Sequence, residues 1–173
     1  MSAESLREKI REIPDFPKPG ILFYDITTLL KDPAAYKEAI DLMLEPYKDE
    51  QIDIVVGMES RGFIFSSPMA YQLDAGLVPV RKLGKLPAET ITVEYALEYG
   101  SNTLEIHRDA IQPGQRVLIV DDLLATGGTV AAACQLVEMA GGAVQEVAFL
   151  IELVGLDGRS KLEGQHVHVV LSY

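Results

Sequence analysis

Val117-Leu118-Ile119-Val120 places four apolar residues in a row, three of them β-branched, and so predicts a strand buried on both faces. Such a strand belongs inside a sheet with helices on either side. Asp121 and Asp122 follow, then two more apolar residues and the small, hydroxyl-bearing run Ala125-Thr126-Gly127-Gly128-Thr129. Val130 to Val137 predicts a helix. A strand, a glycine turn and a helix start make an anion site, because unpaired backbone N–H groups and the helix dipole face the turn. Two carboxylates beside a phosphate would repel it. They call for groups that seek anions: ribose hydroxyls, or Mg²⁺ with its waters.

The rest of the chain alternates strands and helices. Leu6 to Ile13 predicts a short helix with Leu6, Ile10 and Ile13 on one stripe. Three prolines and a glycine between Pro14 and Gly20 make a rigid connector. Ile21 to Ile26 is a short extended piece. Asp32-Pro33 starts a helix running to about Tyr47, with Ala35, Ala39, Leu42, Met43 and Tyr47 on its buried face. Ile52 to Met58, Gly76 to Lys82, Val144 to Leu150 and Val167 to Leu171 predict further strands. A helix from about Phe63 to Leu73 and a short one from Leu156 to Leu162 lie between them. Residues 83–107 are polar and β-rich, too long for a connector, and predict a functional flap or an outlying hairpin. The pattern is that of a doubly wound α/β fold with a mainly parallel central sheet, expected as one domain over residues 1–173. Loops 59–62, 82–87 and 121–129 then meet at the carboxyl ends of the strands.

Charge narrows the partners. Fifteen Lys and Arg stand against 26 Asp and Glu, a net of −11, which argues against nucleic acid or an anionic membrane. No apolar run approaches the roughly 20 residues that span a bilayer, and the charged N-terminus has no signal-peptide core. The single cysteine, Cys134, excludes an internal disulfide and fits a reducing cytoplasm; its place on the apolar side of a helix points to packing. An acidic chain with a phosphate site still needs local positive charge. Arg61, in Glu59-Ser60-Arg61-Gly62, and Lys82 and Lys85 are candidates. His107 is a candidate for either phosphate contact or a structural hydrogen bond.

The 117–129 stretch resembles the phosphoribosyl-diphosphate (PRPP) signature of the type I phosphoribosyltransferases. Pro14 to Phe23, Glu59 to Phe63, Arg81 to Pro87 and Leu97-Glu98-Tyr99-Gly100 resemble the adenine-using branch of that family in order and spacing. The resemblance implies that PRPP and adenine give AMP and diphosphate, with Mg²⁺ held mainly by substrate oxygens and water and by no direct protein cage. It implies that Asp121 and Asp122 serve the ribose hydroxyls, and that Ala125, Thr126, Gly127, Gly128 and Thr129 take the 5′-phosphate. Arg61, Glu59, Ser60, Lys82 and Lys85 would take the diphosphate, around a cis peptide between Glu59 and Ser60. Glu98 would handle a proton of the purine, Phe23 and Leu153 would flank the base, and backbone groups of Leu22 and Tyr24 would read it. Tyr24 departs from the family, where a basic residue is usual. A homodimer is also implied, with residues 59–85 a contact surface. Transfer to another purine base remains the alternative on the same fold. A regulator that binds DNA would need a basic face that this chain lacks.

Overall fold

The structure, a computed structural model, describes residues 3–97 and 100–173. Helix α1 (Ala3–Arg7) leads to β1 (Arg11–Pro14), β2 (Leu22–Asp25) and α2 (Thr27–Leu30). Then come α3 (Pro33–Leu44), β3 (Ile54–Met58), α4 (Gly62–Gln72) and β4 (Gly76–Lys82). Strands β5 (Thr90–Ala96), β6 (Ser101–His107) and β7 (Arg116–Leu124) precede α5 (Gly128–Met139), β8 (Ala143–Glu152) and β9 (Val167–Ser172). Among the described residues one sheet has seven strands, in the order β5-β6-β4-β3-β7-β8-β9. The five strands from β4 to β9 in that order run parallel; β6 joins β4 antiparallel, and β5 joins β6.

Strand β7 lies in the middle, and its alternation builds both cores. Leu118 and Val120 enter one cluster with Leu6, Met43 and Phe65, while Val117 and Ile119 enter the other with Leu104, Val130 and Leu136. All four β7 residues are fully buried. After β3 the chain goes outward to β4, and later returns to β7 on the other side of β3. The carboxyl ends of β3 and β7 therefore border a topological switch, the usual ligand crevice of such sheets.

Local signals explain several elements. The Asp32 carboxylate accepts from the Ala34 and Ala35 amides at 3.0 and 3.2 Å, and Pro33 opens α3. Cys134 is buried, and burial pushes its thiol up to about 11, as a packing residue requires. The 156–162 segment is a pair of short 3₁₀ turns, Val154–Leu156 and Gly158–Leu162.

Three expectations need correction. The helix from Leu6 to Ile13 stops at Arg7, and β1 takes its second half. Pairing with β2, from Arg11 opposite Asp25 to Pro14 opposite Leu22, overrides the helical stripe. The strand of Val117 to Val120 is longer than expected, because β7 runs on through Asp121 and Asp122 to Leu124, paired with β8, which puts the acidic pair within its carboxyl end. Residues 83–107 are not an outlying hairpin: β5 and β6 form the sheet's edge pair, with Val93, Leu104 and Ile106 buried in the core.

Asp25 fixes the β1–β2 hairpin. It accepts from both Nε (3.0 Å) and Nη2 of Arg11, and from the Thr27 amide at 2.9 Å. Arg11 first, then Thr27, hold its carboxyl down from 3.8 to about 2. The folded carboxylate thus contributes stability that is present above the unfolded value and is lost as pH falls towards the folded one. Asp25→Asn is expected to melt below the wild type at neutral pH, with the gap closing as pH is lowered towards 2. Thermal melts across that range check this, and a gap independent of pH would contradict it.

Candidate functional site

A cavity of about 660 Å³ opens at the carboxyl ends of β4, β3 and β7. Glu59, Ser60 and Arg61 enter it from the turn between β3 and α4, Lys82 and Lys85 from the end of β4, and Asp121, Asp122, Ala125 and Thr129 from β7 and the following turn. A smaller recess of about 80 Å³ adjoins it, lined by Thr126 and Gly127 and sharing Asp121, Ala125 and Thr129. Ten of the eleven residues expected to hold PRPP therefore line one or other of these connected spaces, together with Arg61; the eleventh, Gly128, opens α5 beside them.

Close packing of α4 on β7 creates the first part of the site. A Cβ on Gly62 would stand 2.8 Å from Asp121 Oδ1 and 3.0 Å from the Val120 carbonyl oxygen, so only glycine permits this approach. It sets Arg61 Nε 2.7 Å from Asp122 Oδ2, an ion pair whose carboxylate is buried. The rest of the Arg61 guanidinium lines the cavity, where it can meet an anion. The Glu59–Ser60 peptide is cis, as the family resemblance implied. Glu59 accepts from Arg81 Nη2 at 3.1 Å and from the Lys82 amide at 2.9 Å, with Lys85 Nζ 3.8 Å away. Burial alone would raise its carboxyl, but the Lys82 amide and the Arg81 and Lys85 charges hold it below the usual range. Buried Asp122 and half-buried Glu59 thus place the cations.

The second part is the start of α5. Gly127 caps it at φ +78°, without any side-chain cap, so the first helical N–H groups point into the turn unpaired. A Cβ on Gly127 would lie 2.3 Å from the Gly158 carbonyl oxygen, because the 3₁₀ turn at Gly158 braces this loop. Between the two parts stand the acidic residues. Asp121 Oδ1 accepts the Asp122 amide at 2.8 Å. Burial, and then the neighbouring Asp122 charge, push the Asp121 carboxyl well above the usual carboxylate range. A cation or a set of hydroxyl donors arriving there would reverse that rise.

The expected base-binding residues are less gathered. Phe23 meets Phe16 edge-on at 5.1 Å, and the Arg61 guanidinium carbon lies 5.9 Å from the Phe23 ring centroid. Leu22 is exposed, Leu153 is half-buried against the core, and neither lines the cavity. Tyr24 turns its ring onto Tyr173, 4.1 Å between centroids, and Arg7 covers Tyr173 at 4.2 Å. Any contact from Tyr24 to a base would therefore come from its backbone. Glu98 and Tyr99 lie outside the described residues. His107 accepts the Ala88 amide at 3.4 Å, the structural alternative.

The phosphoribosyl transferase domain family matches residues 25–169. The chain belongs to the phosphoribosyltransferase family. It is 61% identical, over the whole of both chains, to the adenine phosphoribosyltransferase of Chloroflexus aurantiacus. Among solved structures it resembles the Rhodothermus marinus adenine phosphoribosyltransferase at 55% identity and TM-score 0.94, covering 99% of this chain and 98% of that one. It also resembles the Saccharomyces cerevisiae adenine phosphoribosyltransferase, solved with an imino-altritol bisphosphate and adenine, at 42% identity and TM-score 0.92, covering 97% of each chain.

Several residues of this phosphoribosyltransferase site carried no sequence signal of their own. Tyr95, on the edge hairpin, meets the Thr129 hydroxyl at 3.1 Å. Lys161 brings its ammonium within 3.8 Å of where a Cβ on Gly128 would stand. Phe16 adds a second aromatic ring beside Phe23. Tyr95 and Lys161 come from segments distant in the chain, so no local pattern marks them, while Phe16 lies in the Pro14 to Phe23 stretch without a role of its own there. Among the described residues no group of three or more His, Cys, Asp or Glu side chains could hold a metal ion. Two carboxylates already engaged with Arg61 and a backbone amide fit a Mg²⁺ held mainly by substrate and water.

Gly127→Ala forces a strained backbone and a clash with Gly158. It is expected to cost on the order of 1–3 kcal/mol of stability and to weaken phosphate-ester binding. Denaturant melts and AMP titrations measure the two effects; wild-type values in both would show that the loop is not braced as described.

Proposed function

We propose that the chain transfers the 5-phosphoribosyl group of PRPP to adenine, giving AMP and diphosphate. The observation that carries this reading is two donor-rich corners, one with Arg61, Lys82 and Lys85 and one at the start of α5, on either side of a pair of carboxylates at the carboxyl ends of the central strands. PRPP has that pattern: a 5′-phosphate, ribose hydroxyls and a diphosphate. The names of the relatives and the adenine bound in the yeast structure supply the base.

On this reading the α5 turn, residues 125–129, takes the 5′-phosphate through N–H groups and the Thr126 and Thr129 hydroxyls. Asp121 and Asp122 accept from the ribose hydroxyls. Arg61, Lys82, Lys85 and the backbone near Glu59 and Ser60 hold the diphosphate. Mg²⁺, near Asp121 and Asp122 and mostly on substrate oxygens, would add charge neutralisation for the leaving group. The C1–O bond breaks with its electron pair leaving on diphosphate, and an adenine ring nitrogen forms the new bond from the opposite face with inversion. The ring proton is lost in the process, and by the family resemblance Glu98 would accept it. Positioning and electrostatics supply the catalysis, with no covalent nucleophile. The β5–β6 hairpin, tied to the α5 turn by Tyr95 and Thr129, excludes water. For the base, Phe23 supplies a ring face and Leu153 the opposing wall, with Leu22 and Tyr24 reading adenine through their backbone.

We further propose a homodimer formed through α4, β4 and the residue after it, where Tyr71, Leu77 and Leu83 are exposed apolar side chains. A cytoplasmic location fits the single buried cysteine. An assay with PRPP and Mg²⁺ offered adenine, hypoxanthine and guanine separately tests the central reading. AMP formation far above IMP or GMP formation is expected. Equal turnover of another base would reassign the substrate, and no nucleotide from any base would end the transferase reading.

A further inference from the structure

Glu105 lies in the middle of β6, where alternation would give a charged residue a solvent-facing role, yet it is only 3% exposed. Its Oε1 accepts from the Lys85 amide at 2.8 Å and the Leu86 amide at 2.7 Å. After β4 the chain folds back along β6 without forming a strand. Leu83 donates to the Thr103 carbonyl at 3.1 Å, residues 85 and 86 donate to Glu105, and Ala88 donates to His107. Three successive alternate positions of β6 thus hold the loop that carries Lys85. From the other side Glu59 takes the Lys82 amide, and Arg81 bridges Glu59 to the Lys85 carbonyl oxygen at 3.1 and 3.4 Å.

We propose that Glu105 is a positioning residue for the diphosphate end of PRPP: its buried carboxylate fixes the 83–88 loop so that the Lys82 and Lys85 ammonium groups stay at the cavity. This rests on the transferase reading above. Burial alone would raise the Glu105 carboxyl, and the amides of Leu86, Lys85 and Gly84 hold it below the usual range. It therefore stays charged as the acceptor of the loop at neutral pH. A loop held by neutral backbone contacts would serve any fold. A buried charge that orders two lysines beside an anion site serves a leaving group with several negative charges.

The test compares wild type, Glu105→Ala, Glu105→Asp and Glu105→Gln by thermal melting, by KM for PRPP and for adenine, and by calorimetric binding of diphosphate with Mg²⁺. Glu105→Ala and the shorter Glu105→Asp are expected to raise KM for PRPP and weaken diphosphate binding by on the order of tenfold to a hundredfold, with KM for adenine unchanged. Glu105→Gln, which keeps an acceptor oxygen for the loop but loses the charge, is expected to recover only part of that loss. If Glu105→Ala does not fold, Glu105→Asp decides. Diphosphate binding at the wild-type level in a folded variant would overturn the proposal, as would equal losses for PRPP and adenine. Failure of the wild type itself to bind diphosphate would instead bring down the transferase reading, and the proposal with it.

Discussion

Asp122 on β7, Glu59 after β3 and Glu105 on β6 are three carboxylates largely withdrawn from water, and the site depends on how each is paired. Removing a carboxylate from water costs several kcal/mol unless it is paired and hydrogen-bonded. Asp122 takes Arg61, Glu59 takes Arg81 and the Lys82 amide, and Glu105 takes two loop amides. Each pairing drags a cation, or a loop bearing cations, to the same edge of the sheet. An acidic protein of net charge −11 thereby builds a positively lined corner for an anion. The negative charge is the scaffold of the positive charge.

Topology makes this possible. Strands β3 and β7 are neighbours in space but far apart in sequence, and the chain leaves them towards opposite sides of the sheet. Their ends diverge and leave a crevice, into which α4 and α5 both present their starts. The fit is tight at two glycines. At Gly62 the helix meets β7 too closely for any side chain, and at Gly127 the turn meets Gly158 with a left-handed backbone. These contacts hold the Arg61–Asp122 pair and the α5 turn at a set separation. A sugar phosphate with a charged group at each end requires such spacing.

Much of this was legible in the residues. The unbroken apolar run of β7, the Asp32 cap and the strand from Gly76 to Lys82 all follow from local chemistry, and the motif at 117–129 pointed to phosphate and sugar. Elements set by distant partners were not legible. Ile10 and Ile13 sit at helical spacing, but Ile13 pairs with Phe23 across a hairpin that no local signal announces. Glu105 looks like a strand's outward charge until the 83–88 loop lies over it. Tyr24, which departs from the basic residue usual in the family, finds its explanation at the two ends of the chain: it stacks on Tyr173, and Arg7 covers that ring with positive charge. A side chain engaged there leaves only its backbone to face a base.

The central claim is that two separate anion corners flank the carboxylate pair, one served by Arg61 and one by the α5 turn. Calorimetric titration of Arg61→Ala with diphosphate and with AMP, each with Mg²⁺ present, separates them directly. Loss of diphosphate binding with AMP binding retained is the result the account predicts. Unchanged diphosphate binding, or equal loss of both ligands, would contradict it.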